Sequence, residues 1–233
     1  MRKSLNLIIS VPYFLAALLV IYSRILKQPD FENVARPMLL ILLMLWYGFG
    51  SSRQKIKINW YFMLGLLFSF VGDLLRTPML DKFLVGLVFF IIGHLIYSIV
   101  FFWECKGQVI ATLSRGWLFV MVIALLIISL FVGLLPSLVN SNLPFHYIAM
   151  PTLTIVLLVL ILSTYVYSQV NFNNLGPLIL IGGLLFLISD SFLAFHKFSI
   201  DVKLSSAWVI GFYVLAHWFI VFGYMKTKRT SNP

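Results

Sequence analysis

Apolar runs of membrane-crossing length recur along the whole chain, broken only by short polar stretches. They fall at Leu5–Tyr22, Val34–Gly50, Asn59–Leu75, Phe83–Trp103, Trp117–Leu135, His146–Tyr167, Leu175–Phe195 and Ser206–Tyr224. A helix needs roughly 17–25 residues to cross the hydrocarbon core of a bilayer. In lipid, only helices and closed barrels satisfy every backbone polar group internally. The runs predict an all-α fold, a polytopic bundle of eight transmembrane helices. No polar linker is long enough to separate a second domain, so residues 1–233 read as a single integral-membrane domain. The first run follows Arg2 and Lys3, exceeds the apolar stretch of a secretory leader, and has no small-x-small cleavage site after it. It reads as a retained helix.

Composition and charge narrow the function classes. Of the residues, 61% are hydrophobic and 10% charged, against about 25% charged in soluble domains. The net charge of +10 lies in the ends and connections, where it sets topology and meets anionic headgroups. No basic stripe with interleaved aromatics appears, which excludes nucleic acid as a partner. With the N-terminus cytoplasmic, ten cations fall inside: Arg2, Lys3, Arg53, Lys55, Lys57, Lys106, Arg115, Lys226, Lys228 and Arg229. Seven fall outside: Arg24, Lys27, Arg36, Arg76, Lys82, Lys197 and Lys203. That bias predicts both termini in the cytoplasm and a multi-pass protein of the cell's inner membrane. The single Cys105 rules out an intrachain disulfide and has no partner spacing for a metal or redox role.

Two of the runs carry an aspartate. Gly65 lies eight residues before Asp73 and Gly182 eight before Asp190, and a small residue (Gly72, Ser189) precedes each carboxylate. Carboxylates are costly in hydrocarbon and mark function or a specific contact there. Asp73 is fourteen residues into its run and Asp190 fifteen, so each is about 21 Å from the same membrane face at 1.5 Å per residue. His94, Tyr213, His217 and Arg36 belong to runs that start from the opposite face, which places these six groups, the two aspartates included, in one half of the bilayer. Tyr97 follows His94 by three residues and His217 follows Tyr213 by four, so each pair shares a helical face. Two carboxylates brought close in low dielectric cannot both ionise easily, and a protonated carboxyl is a competent general acid. A structural contact to a neighbouring hydroxyl or to Arg76 is the plainer alternative. A metal site of both aspartates and both histidines is another, although no compact metal-binding motif occurs. No GxSxG motif supports a serine hydrolase.

These pieces resemble the YhhN family of lysoplasmalogenase-like membrane proteins. The resemblance rests on Arg36-Pro37, on Gly72-Asp73 followed by Phe83, Gly86, His94 and Tyr97, and on Gly183, Phe186 and Ser189-Asp190-Ser191 followed by Ala194 and Phe198. Tyr213, Ala216 and His217 complete it. The chain departs from the family at His217, where glutamine is common, and at Thr154, where the sixth segment tends to hold a tyrosine. The resemblance implies an ether hydrolase. It would cleave the vinyl ether bond of lysoplasmalogens into a fatty aldehyde and glycerophospho-ethanolamine or -choline. Asp73 and Asp190 would be catalytic, and Arg36, His94, Tyr97, Ser189, Tyr213 and His217 would line the substrate, with no cofactor and no metal. The partners implied are a lysophospholipid and the bilayer, and oligomeric state is not specified. The apolar neighbours Val71 and Leu74 favour Asp73 as proton donor, while Ser189 and Ser191 favour Asp190 as the base that activates water. The alternative is a proton-coupled transporter or lipid-binding protein using the same aspartates, suggested by the echo of the two motifs at a separation of 117 residues.

Overall fold

A computed structural model describes residues 10–26, 28–139, 146–198 and 205–231, without the side chains of 134–139, 146–150, 195–198, 205, 206, 230 and 231. The start of the first predicted segment lies outside the described residues. The elements are α1 (Val11–Ile25), α2 (Pro29–Arg53), α3 (Trp60–Leu75), α4 (Phe83–Glu104), α5 (Val109–Arg115), α6 (Trp117–Val139), α7 (His146–Val170), a 3₁₀ turn (Phe172–Asn174), α8 (Pro177–Phe198) and α9 (Ser205–Ser231). Among the described residues there is no strand.

Local chemistry explains where the helices start. Pro29 opens α2 after an extended Gln28, with Asp30 and Glu32 in the first turn, where proline is pre-organised and acids complement the helix dipole. The second segment therefore begins five residues before the predicted Val34. Arg36 and Pro37 sit two turns into the helix, not at its entrance. Asn59 caps α3: its side-chain oxygen accepts from the backbone N–H of Tyr61 and Phe62. The connection Glu104–Arg115 holds α5, which meets the following helix at an 82° break. Val109 and Leu113 anchor α5 on the core. At the other end, α9 runs on through the basic tail to Ser231 because Lys228 pairs with Glu104 at 2.7 Å.

Among the described residues, five helices are long and apolar enough to cross a membrane: α2, α4, α7 from Pro151, α8 to Ala194, and α9 over Ala207–Arg229. Counting α5 and α6 to Gly133 as one broken span makes six. With 15 and 16 residues, α1 and α3 are apolar but short, at about 23–24 Å against a core of about 30 Å. The exterior is that of a membrane protein. Leu18, Val34, Phe49, Ile99, Leu125 and Ile155 face outward, while Arg36, Asp73, His94, Asp190 and His217 are buried. That reverses the pattern of a water-soluble protein.

Small residues let the site-bearing helices approach closely. A Cβ at Gly86 on α4 would stand 2.8 Å from the Gly72 carbonyl of α3, and one at Gly93 would stand 2.8 Å from Ser69 Oγ. On α8, a Cβ at Gly182 would stand 2.8 Å from the Ala216 carbonyl of α9. This is small-residue packing, the main way helices associate where water cannot drive them together. It presses α3 on α4 and α8 on α9, and so fixes the two helices that carry Asp73 and Asp190.

Candidate active site

Asp73 lies in the last turn of α3 and is completely buried. Arg36 of α2 donates its Nε to Oδ1 at 3.1 Å, and Tyr213 of α9 donates its hydroxyl to Oδ2 at 2.7 Å. Arg36 Nη1 also donates to Glu32 Oε1 at 3.3 Å and to the Arg76 carbonyl at 3.1 Å. Glu32 in turn accepts from Arg24 of α1 at 2.6 Å and 3.0 Å. A chain of alternating charges, Arg24, Glu32, Arg36 and Asp73, thus runs from α1 through α2 to α3, and Tyr213 extends it to α9. Buried ions persist when each is both paired and hydrogen-bonded, and this chain meets that condition.

Asp190 stands differently. It lines a cavity of about 30 Å³ with Leu153, Thr154, Leu157, Leu187 and Ser191, room for about one water. Among the described residues none donates a hydrogen bond to its carboxylate. The flanking hydroxyls, expected from the sequence to support its ionised form, turn elsewhere. Ser189 Oγ donates to the Val209 carbonyl at 3.0 Å and Ser191 Oγ to the Leu187 carbonyl at 2.6 Å. Ser189 is thereby a tie between α8 and α9. The residue that links the two aspartates is Arg76, whose guanidinium feels both Asp73 and Asp190.

The remaining sequence-chosen residues gather around Phe186. His94 and His217 meet its ring edge-on, at 4.7 and 4.6 Å between centroids. The Tyr213 ring packs edge-on against His217 at 4.4 Å. His217 Nδ1 lies 3.3 Å from the Tyr213 carbonyl, while among the described residues His217 Nε2 and His94 Nδ1 are buried with no hydrogen bond of ordinary geometry. Tyr97 sits farther along, its ring in the hollow left by Gly65 and 6.5 Å from His217. Its hydroxyl lies near Ser69, whose own proton goes to the Gly65 carbonyl, and it has no hydrogen bond of ordinary geometry. Tyr213 therefore joins two groups, the ion chain through its hydroxyl and the histidine cluster through its ring. Among the described residues no group of three or more His, Cys, Asp or Glu side chains gathers where it could hold a metal ion.

Several members of this site escape a reading by motif. Glu32 belongs to a stretch that looks like a polar loop. The available signal was Pro29 followed by two acids, a helix start that puts Glu32 one turn before Arg36. Arg76 looks like a loop cation, although it ends the helix that carries Asp73. Thr154, the position where the sequence departs from the family's tyrosine, shares the cavity of Asp190.

No curated protein and no solved structure matches the chain. The family model described as YhhN matches residues 31–224, a stretch that contains Arg36, Asp73, Asp190, Tyr213 and His217, and the chain therefore belongs to the YhhN family.

Proposed function

We propose that this protein is a lysoplasmalogenase-type ether hydrolase of the inner membrane. In this reading residues 1–233 form one integral-membrane domain of eight crossings, with both termini in the cytoplasm. The observation that carries the catalytic reading is the contrast between its two buried aspartates. Asp73 is fixed by a guanidinium and a phenol. Among the described residues Asp190 has no donor on it, and it borders a space for about one water. General acid-base catalysis needs this division, with one carboxyl group to hand over a proton and another to stay ionised.

The chemistry follows from the bond to be broken. Asp190 protonates the alkenyl carbon β to the ether oxygen, and the positive charge left behind is an oxocarbenium ion shared by the oxygen and the α carbon. Water adds to the α carbon and loses a proton to the carboxylate left on Asp190. The hemiacetal then collapses to a fatty aldehyde and the glycerol hydroxyl. Asp73, held ready by Arg36 and Tyr213, faces the cation as a fixed negative charge, the role that carboxylates play beside glycosyl cations. The assignment of Asp190 as donor reverses the one that neighbouring residue types favoured. Leu153, Leu157 and Leu187, which line the cavity beside Asp190, supply the apolar wall for the alkenyl chain.

The test is aldehyde release from a 1-alkenyl lysophospholipid by purified protein in detergent, without any ion gradient. Asp190→Asn and Asp73→Asn should each lose at least the ~10²–10⁴-fold that general acid-base groups contribute. Near-wild-type turnover in both variants defeats the proposal. A transporter reading would then lead, supported by the matched packing of α3 on α4 and α8 on α9 behind the two echoed motifs.

A further inference from the structure

We infer that Arg76 is an anion subsite that takes the phosphodiester of a single-chain lysophospholipid beside the aspartates. The inference rests on the proposed function for its choice of lipid, and on the surroundings of this one guanidinium for everything else.

Arg76 follows the last turn of α3, and its backbone N–H reaches the carbonyls of Gly72 and Asp73. Its side chain passes directly over Gly86, where an added Cβ would stand 2.5 Å from Arg76 Cγ and 3.0 Å from Cδ. The guanidinium carbon then lies 5.0 Å from the Phe90 ring centroid and 5.4 Å from that of Phe83. Its Nε is buried with no hydrogen-bond partner among the described residues. The three arginines described at this end of the bundle are therefore not alike. Arg24 and Arg36 each hold a carboxylate by hydrogen bonds. Among the described residues, Arg76 has no carboxylate within ion-pair distance.

The charges around it account for this. Arg36 repels it from α2, while Asp73 on α3 and Asp190 on α8 attract it at longer range. Asp73 is held away from it, one carboxylate oxygen on Arg36 and the other on Tyr213. Exposed Asp81 and Lys82 follow in the connection to α4. A guanidinium carries five donors in a planar fork that matches the oxygens of a phosphate, and it stacks readily on aromatic rings. The two phenylalanine rings hold the plane of Arg76 without using any donor. Arg76 as a whole is half-buried, so part of the group still reaches accessible surface at the membrane face. A phosphodiester is the ligand that completes such a fork. In a lysolipid, only the glycerol backbone separates the phosphate from the ether bond, which brings that bond toward Asp190.

The experiment measures binding of a ligand that cannot be hydrolysed. A saturated 1-O-alkyl lysophosphocholine and the matching 1-O-alkylglycerol, which lacks phosphate, are titrated against wild type, Arg76→Gln and Arg76→Lys in the same detergent. Tryptophan fluorescence reads binding. Wild type should prefer the phosphate-bearing lipid by at least tenfold. Arg76→Gln should lose that preference while binding the alkylglycerol as wild type does, and Arg76→Lys should keep part of it. An intact preference in Arg76→Gln overturns the inference. If the variants do not purify as monodisperse protein, wild type decides by itself, since equal binding of the two lipids is equally fatal. Competition by inorganic phosphate at the concentration of the lysolipid would assign the subsite to a soluble anion and overturn the lipid assignment. Absence of turnover on alkenyl lipids would remove the enzyme reading but leave these binding results standing.

Discussion

Removing one hydroxyl tests whether Asp73 is held as a charged group. Tyr213→Phe deletes the donor of a 2.7 Å bond to Asp73 Oδ2 and keeps the ring that packs on Phe90 at 5.5 Å and Phe186 at 6.0 Å. A hydrogen bond to a charged group contributes about 1.5–3 kcal/mol. Neutral interhelical hydrogen bonds in membrane proteins average only ~0.6 kcal/mol. Tyr213→Phe should therefore destabilise wild type by about 1.5–3 kcal/mol. In the Asp73→Asn background the same substitution should cost ~0.6 kcal/mol, because asparagine still accepts the bond but carries no charge. The double-mutant cycle then returns a coupling of about 1–2.4 kcal/mol. Reversible unfolding by dodecyl sulfate in mixed micelles, followed by far-ultraviolet circular dichroism, measures all four proteins. A coupling below ~0.5 kcal/mol would refute the argument, since it equals the usual additivity error and would place the Tyr213 bond in the neutral class.

Further expectations follow from packing and exposure. Gly72→Ala would drive a methyl group into the Phe90 ring, with the Gly86 carbonyl 3.0 Å away, so it should cost about 1–3 kcal/mol by overpacking and lower the melting temperature in detergent. Burial first, and Glu104 second, push the Cys105 thiol up to about 12 against the opposing pull of Lys228. The thiolate is then about 10⁻⁴ of the folded population at pH 8, and maleimide should label Cys105 only after denaturation. With that background silent, cysteines placed at the two termini should react from the same side of sealed vesicles, and labelling from opposite sides would rule out eight crossings. Lys228→Met should loosen the end of α9, read as faster hydrogen exchange there, because it leaves Glu104 with the Tyr224 hydroxyl at 2.6 Å and Asn59 but no cation among the described residues.

The class of the fold and the identity of the family were legible in the chain itself. Apolar runs of bilayer length can satisfy their backbone only as helices, whatever the tertiary arrangement, and that argument needs no contact. Aspartates within such runs announce themselves because hydrocarbon penalises them. Helical spacing also showed that Tyr213 and His217 share a face. Partnership was not legible. Pro29 and its following acids extend α2 outward and bring Glu32 under Arg24 and Arg36, and nothing in the apolar pattern distinguishes that helix start from a polar loop. The serines beside Asp190 looked like its supporters, yet each hydroxyl bonds a backbone carbonyl, because a hydroxyl's direction depends on rotamer and on the helix opposite. Arg76 read as one more basic loop residue. Only the close approach of α3 and α4 at Gly72 and Gly86 lays it across two phenylalanines, with Asp73 already taken by Arg36. Residue types and their periods are properties of the local chain. Which donor reaches which carboxylate depends on distances between helices far apart in sequence, and those are set when the glycine-lined faces pack.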